Sequence, residues 1–249
     1  MSIDTDKDLE QLKRIGRIVA LTLQTMLDQV KPGITTAELD HIGGKMLAKH
    51  GARSAPKITY DFPGHTCISI NDEVAHGIPK ADRVIRAGDL VNIDVSAELN
   101  GYFADSGASI PVPPTPQLFT KLCRSTRSAL KAGMKAARAG QPLNRIGKAI
   151  SKEAYRAGFG VIHNLCSHGV GRALHEEPEY IPSYYDSRDK RTLHEGQVIT
   201  IEPFLTNGPP MAFQDRDGWT LRTQEGCFAA QYEHTIVITK RQPIVITRA

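Results

Sequence analysis

Acidic residues sit inside the most strand-like parts of this sequence. LVNIDV at 90–95 carries Asp94, VITIE at 198–202 ends on Glu202, and QYEHTIVIT at 231–239 contains Glu233. β-Branched residues dominate these runs, as in strands covered on both faces. An unpaired carboxylate in such a setting costs several kcal/mol unless a proton or a cation neutralises it. Asp105 joins the group. It follows Asp94 by eleven residues, after a turn at Asn100-Gly101 and the aromatic pair Tyr102-Phe103. That pattern predicts a hairpin with both acids reaching one end. With the imidazole of His168, the four carboxylates form an oxygen-rich donor set. Such a set suits a pair of divalent ions such as Mn, Fe or Co rather than a closed thiolate zinc site. Any one of these acids alone is more often an edge or half-exposed residue, so their joint occurrence carries the reading.

The rest of the chain is an α+β mixture. Apolar residues at 9, 12, 15, 19, 23, 26 and 30 mark an amphipathic helix over 9–30, opened by a capping box of Thr5 and Asp8 and closed by Lys31-Pro32-Gly33. A second helix starts at Thr35, with Glu38 as box partner, and runs to about His50. A third runs from Thr115-Pro116 to Ala139-Gly140, and a fourth from about Leu143 to Ala157. Strands are expected at 67–70, 90–95, 198–202 and 233–239.

A weak internal repeat organises these elements. HGIP at 76–79 and HGVG at 168–171 are each followed by a turn into an apolar strand ending on an acid: Gly88 precedes Asp94 by six residues, and Gly196 precedes Glu202 by six. Pseudo-symmetric packing would therefore bring two histidines and two carboxylates to one centre. The expected architecture is a single catalytic domain over 1–249 with halves at about 9–112 and 113–240. At 249 residues the chain is long enough for one large domain or two small fused halves.

Composition narrows the function classes. Hydrophobic residues at 40% and charged residues at 23% exclude disordered and low-complexity chains. No apolar run is long enough to span a membrane and the N-terminal segment is polar and acidic, so a cytoplasmic protein is expected. Four widely spaced cysteines predict reduced thiols. The net charge of +4 is too small to define a nucleic-acid binder, yet ten Lys or Arg and only Glu153 among the acids fall between Lys121 and Arg156. Lys121, Arg124, Arg127, Lys131, Lys135 and Arg138 recur at helical spacing as one positive stripe, whose simplest role is a solvated face.

With these motifs in hand, the chain resembles the type I methionine aminopeptidases in their short bacterial form, from about Gly16 to Thr239. The resemblance rests on NDEVAHGIP at 71–79, GDLVNIDVS at 88–96, SHGVGRALHEEP at 167–178, TIEP at 200–203 and AAQYEHTIVIT at 229–239. It implies a pita-bread (creatinase/aminopeptidase) fold, with two pseudo-symmetric halves and a curved, mostly antiparallel sheet covered by helices on its outer face. It implies a metalloprotease that excises the N-terminal methionine during protein maturation, preferably before a small second residue, with nascent chains as substrate. The cofactor implied is two divalent ions, with cobalt, manganese, iron, zinc and nickel all candidates. Asp94, Asp105, His168, Glu202 and Glu233 match the family's ligands, and His76 and His175 its catalytic histidines. Cys67, Phe62 and Trp219 fall on its side-chain pocket, with Tyr60 the nearest counterpart of an altered aromatic stretch. Leu174 stands where bacterial relatives often have an aromatic.

The implied chemistry is attack on the first peptide bond by a water activated between two metals, for which the usual separation is about 3.5–4 Å. Asp105 and Glu233 would bridge, Asp94 would serve one metal and His168 the other, and Glu202 would ligate and relay the proton. His175 would hydrogen-bond the scissile carbonyl and His76 the substrate's backbone nitrogen. The protein is expected to act as a monomer, with helix 121–138 a candidate ribosome contact. Two rivals remain at this level. One is a proline-specific pita-bread hydrolase, which usually carries a large additional N-terminal domain. The other is a silent relative that binds RNA or protein, which typically lacks ligands retained here.

Overall fold

The fold is described from a computed structural model, over residues 1–248. The first part of the chain gives α1 (Asp6–Asp28), α2 (Thr36–Lys49), β1 (Arg53–Ser54), α3 (Ala55–Tyr60), β2 (Cys67–Ile70), β3 (Glu73–Ala75), β4 (Leu90–Leu99) and β5 (Tyr102–Pro111). The second gives α4 (Gln117–Ala136), α5 (Asn144–Arg156), β6 (Gly160–Val161), β7 (Cys166–Gly169), β8 (Glu176–Pro182) and β9 (Val198–Ile201). It closes with β10 (Phe204–Thr206), β11 (Phe213–Gln214), β12 (Leu221–Arg222), β13 (Ala229–Gln231), β14 (His234–Val237) and β15 (Ile244–Val245).

Both capping boxes form as the sequence predicts. The Thr5 hydroxyl accepts from the Asp8 amide while the Asp8 carboxylate accepts from the Thr5 amide at 3.0 Å, and Thr35 and Glu38 repeat the arrangement. The third helix is shorter than expected. It begins at Gln117 without a side-chain cap and stops at Ala136, where Ala137 leaves helical geometry. Helix α3 has no counterpart in the sequence reading, because six residues are too few to show a period.

Strand β4 corrects the hairpin. It runs to Leu99 rather than stopping at Val95, because Val95, Ala97 and Leu99 continue the buried alternation. The ten-pair ladder with β5 therefore sets Ser96 opposite Asp105 and Asp94 opposite Gly107. The two acids are diagonal neighbours in mid-ladder, not at one end. Their direction follows from the pleat. Ile93 and Val95 pack into the core beneath α1, so Asp94 between them projects from the other face. In β9, Ile199 and Ile201 pack beneath α4 and α5, and Thr200 and Glu202 face away from that core.

Two antiparallel sheets carry these residues. In one, β4 pairs with β5 along one edge and with β1 and β2 along the other; in the other, the order is β15-β14-β9-β7-β8. A seam joins them. The Glu233 amide donates to the Gly107 carbonyl at 2.8 Å, Ser106 donates to the Glu233 carbonyl at 2.8 Å, and Thr235 both accepts from and donates to the Asp105 backbone. Each sheet has its own core. Helices α1 and α2 bury Ile15, Val19, Met26 and Leu39 against β2, β4 and β5, and α4 and α5 bury Leu122, Leu130, Ile146 and Ile150 against β9 and β14.

Along the basic helix, Lys121, Arg124, Arg127, Lys131 and Lys135 are exposed, whereas Arg138, expected on the same stripe, lies beyond the helix end and is half-buried. Two of these cations are engaged within the fold: Lys121 lies over the Phe159 ring and Arg127 over Tyr232. No helix among the described residues is long and apolar enough to cross a membrane.

Helix α1 is seated on the C-terminal segment at Gly16, where an added Cβ would run into the backbone and side chain of Ile246. Gly16→Ala is expected to destabilise the protein by about 1–3 kcal/mol, as overpacking does. Exposed Lys13→Ala in the same helix should stay within about 0.5 kcal/mol. Urea unfolding of both variants checks the difference; equal midpoints would remove the close approach as a constraint.

Candidate active site

The outward acids of the two sheets meet where the seam brings β5 against residues 231–235. Continuing the β9–β14 register, in which Ile201 faces His234, sets Glu202 opposite Glu233. Asp105, Glu202 and Glu233 are buried, with Asp94 half-buried beside them. His168 on β7 is buried against Glu202, its Nε2 3.4 Å from Glu202 Oε1.

The electrostatics are those of an uncompensated cluster. Burial pushes the Asp105, Glu202 and Glu233 carboxyls well above the usual carboxylate range, and their negative neighbours push them further. Asp94 is raised by burial too, while its hydrogen bonds with Asp105 and Gln231 and the proximity of His76 act against the rise. Burial and the adjacent His175 depress His168 to about 3, so its ring is neutral at physiological pH. Its Nδ1 lies 2.9 Å from the Gly169 carbonyl, which can only accept, so Nδ1 carries the hydrogen and Nε2 offers a lone pair. Asp105 Oδ1 and Glu233 Oε1 are sealed from solvent and accept no hydrogen bond. One donor atom from each of Asp105, His168 and Glu233 lies within 4.8 Å of the others. Buried, mutually repelling carboxylate oxygens beside a free imidazole nitrogen fit divalent cations.

Above the cluster opens a cleft of about 390 Å³. Of the sequence-predicted site residues, only Glu233 does not line it, lying beneath the floor. His76 and His175 reach into the cleft and are open to it; His76 adopts φ 55° directly after β3. Burial in the cleft wall lowers the pKa of both imidazoles, His175 further through His76. Phe62 and Trp219 meet edge to face at 5.2 Å, and Leu174 closes the wall. Cys67 faces Asp94 across β2–β4, and burial raises its thiol well above its ordinary value, so it lines the cleft as a protonated, apolar group.

Long-range hydrogen bonds position these side chains. Asp40 on α2 accepts from the His65 and Thr66 amides at 2.9 and 2.8 Å, fixing the loop between Phe62 and Cys67. Trp219 stands on a turn in which the Asp217 carboxylate accepts from the Trp219 and Thr220 amides at 2.9 and 2.8 Å. Arg222, held within that hairpin by Asp215 at 2.6 Å, ties it to β3 and the turn before it through Glu73 and Asp72 at 3.1 and 2.9 Å.

Gln231 has no place in the sequence reading. Its amide nitrogen lies 3.3 Å from Asp94 Oδ2 and 3.2 Å from Glu233 Oε2, and its carbonyl oxygen accepts from Asn92 at 2.9 Å. The space it occupies exists because residue 107 is glycine; a Cβ there would collide with the Gln231 amide. The signal available was its position two residues before Glu233, on the same strand face.

Comparison with known proteins places this geometry. Residues 10–240 match the family model of metallopeptidase family M24. Methionine aminopeptidase 2 of Bacillus subtilis is 47% identical over 248 residues, covering 100% of both chains. The crystal structure of methionine aminopeptidase from Thermotoga maritima superposes with a TM-score of 0.95 at 32% identity, again covering 100% of both chains. A prolidase from Pyrococcus furiosus shares the fold, with a TM-score of 0.79 at 24% identity, but this chain covers only 65% of it. The likeness that extends over whole chains is to the methionine enzymes. Buried acids on two stitched sheets, a histidine-lined cleft and full-length similarity agree: the chain belongs to metallopeptidase family M24 and, within it, to the methionine aminopeptidases.

Proposed function

We propose that this metallopeptidase removes the first methionine from peptides and nascent chains whose second residue is small, using two divalent ions held by Asp94, Asp105, His168, Glu202 and Glu233. The orphaned pair Asp105 Oδ1 and Glu233 Oε1 carries the reading, because cations are the partners such oxygens lack. Bound ions would offset the repulsion among the carboxylates, lower the pKa of a water and polarise the scissile carbonyl. Cobalt, manganese, iron, zinc or nickel each accept such a donor set. In this reading Asp105 and Glu233 would be shared by the two ions, Asp94 would serve one, and His168 and Glu202 the other.

The remaining steps belong to side chains in the cleft. Glu202 takes a proton from the attacking water and passes it to the leaving amine. His175 hydrogen-bonds the carbonyl oxygen as it gains charge, and His76 contacts the backbone nitrogen of the substrate. The methionine thioether packs among Phe62, Trp219 and Cys67, with Leu174 and Tyr60 at the borders of that pocket. Residues 9–112 then supply Asp94 and Asp105, and residues 113–240 supply His168, Glu202 and Glu233, so neither half forms the site alone. We place the enzyme in the cytoplasm, as a monomer. The basic stripe from Lys121 to Arg138 is a candidate contact for ribosomal RNA through salt-sensitive phosphate interactions.

Glu202→Gln should lower kcat by about 10²–10⁴-fold, the range of a lost acid–base group, while calorimetry still detects bound metal. Near-normal turnover would take Glu202 out of the proton relay. Asp105→Asn should have two opposite effects. Metal stoichiometry falls, while the chelated protein gains about 2–4 °C in Tm from the removal of one repelling charge; undiminished binding of two equivalents would refute bridging. Met-Ala-Ser should be cleaved well, Met-Leu-Ser poorly, and neither after chelation. A preference for Xaa-Pro peptides would instead select the proline-specific reading.

A further inference from the structure

Tyr60 makes a contact that packing a substrate does not require. It ends α3 at the mouth of the cleft, and its hydroxyl lies 2.6 Å from Nδ1 of His175, 115 residues away in the chain. The two rings are also in contact, with centroids 5.7 Å apart and tilted by 48°. His175 sits in turn against His168, with ring centroids 4.0 Å apart. The imidazole is thus held between a phenol at the cleft mouth and the histidine at its floor.

A phenol at neutral pH always has a hydrogen to give. Burial and the nearby Glu179 carboxylate both favour its protonated form. Among the described residues, His175 Nδ1 is the one hydrogen-bond partner found for the Tyr60 oxygen. An O–H donating to Nδ1 satisfies this contact with the imidazole nitrogen as acceptor. In neutral imidazole one nitrogen accepts and the other carries the hydrogen, so the partner of one nitrogen decides the state of the other.

We propose that Tyr60 is a positioning residue for His175, its hydroxyl holding Nδ1 as an acceptor so that the hydrogen resides on Nε2, available to the scissile carbonyl. This rests on the reading of His175 as the carbonyl's donor. By resemblance Tyr60 belongs to the substrate pocket only, and the hydroxyl adds a second role.

The test compares the zinc-loaded protein, whose ion is diamagnetic, with its Tyr60→Phe variant by ¹⁵N spectroscopy of histidine. In the parent, His175 should show a protonated Nε2 and a hydrogen-bonded, unprotonated Nδ1. Tyr60→Phe should move the Nδ1 signal and raise the Nδ1–H form. The same variant should lose about tenfold in kcat on Met-Ala-Ser, the scale seen when an outer partner of a site histidine is removed, with KM changed less than about twofold. Tyr60→Ala should lose no less kcat. A parent spectrum with Nδ1 protonated, or signals indifferent to Tyr60→Phe, overturns the proposal. If the signals move but kcat is unchanged in both Tyr60→Phe and His175→Ala, the donor role of His175 fails, and the catalytic purpose of Tyr60 fails with it. A rise in KM at constant kcat in Tyr60→Phe reduces the residue to a pocket wall and equally overturns the proposal.

Discussion

Four carboxylates gathered at and beneath the floor of one cleft, three of them buried and Asp94 half-buried, govern the design of this molecule. Every acid raises the cost of ionising the others, and burial removes the solvent that would otherwise screen them. A loop could relieve such a cluster by moving apart. Here the acids cannot separate, because Asp94 and Asp105 are diagonal partners in a ten-pair ladder and the seam fixes Glu233 to Gly107. The scaffold spends stability to keep the oxygens together, the condition under which a cation site is selective and strong.

The stability comes from the faces turned the other way. Each strand that carries an acid outward carries isoleucine or valine inward, against a helical layer of its own. The two halves are also tied at their periphery. Asp8, the capping-box partner of Thr5 in α1, accepts from the Tyr102 hydroxyl at 2.7 Å and pairs at 3.0 Å with Arg172, whose guanidinium lies 3.7 Å from the Tyr102 ring centroid. Arg172 stands four residues after His168, so the α1 cap in the first part of the chain restrains the loop that leads to His175 in the second.

What could be read from the sequence was what is local or periodic. Capping boxes span four residues, and both were legible; so were the apolar period of α1 and the turn at Asn100-Gly101. The acids stood out because a charge in an apolar run is an energetic contradiction visible at the level of single residues. The hairpin was misjudged because its apolar alternation continues past Asp94 through small residues, Ser96 and Ala97, that carry little strand signal. Gln231, Arg222 and the Tyr60–His175 bond were not legible as site-forming contacts. Their partners lie 137, 150 and 115 residues away, and only the folded register brings them together.

These two kinds of residue divide the labour of the site. The charge cluster is built on strand ladders, where a shift of one residue would turn every acid into the hydrophobic core, so its geometry has no tolerance. The pocket is built on the loop held by Asp40, the turn capped by Asp217 and the short helix α3, the first two fixed by side-chain hydrogen bonds. Those anchors hold the backbone and leave the side chains between them unconstrained by the charge cluster. A fold arranged this way can hold its reaction centre constant and alter which chain end it admits, because recognition and charge are supported by different hydrogen-bond networks. The cleft is where the two meet, and His175, touching both His168 at the floor and Tyr60 at the mouth, is the side chain through which a change in one reaches the other.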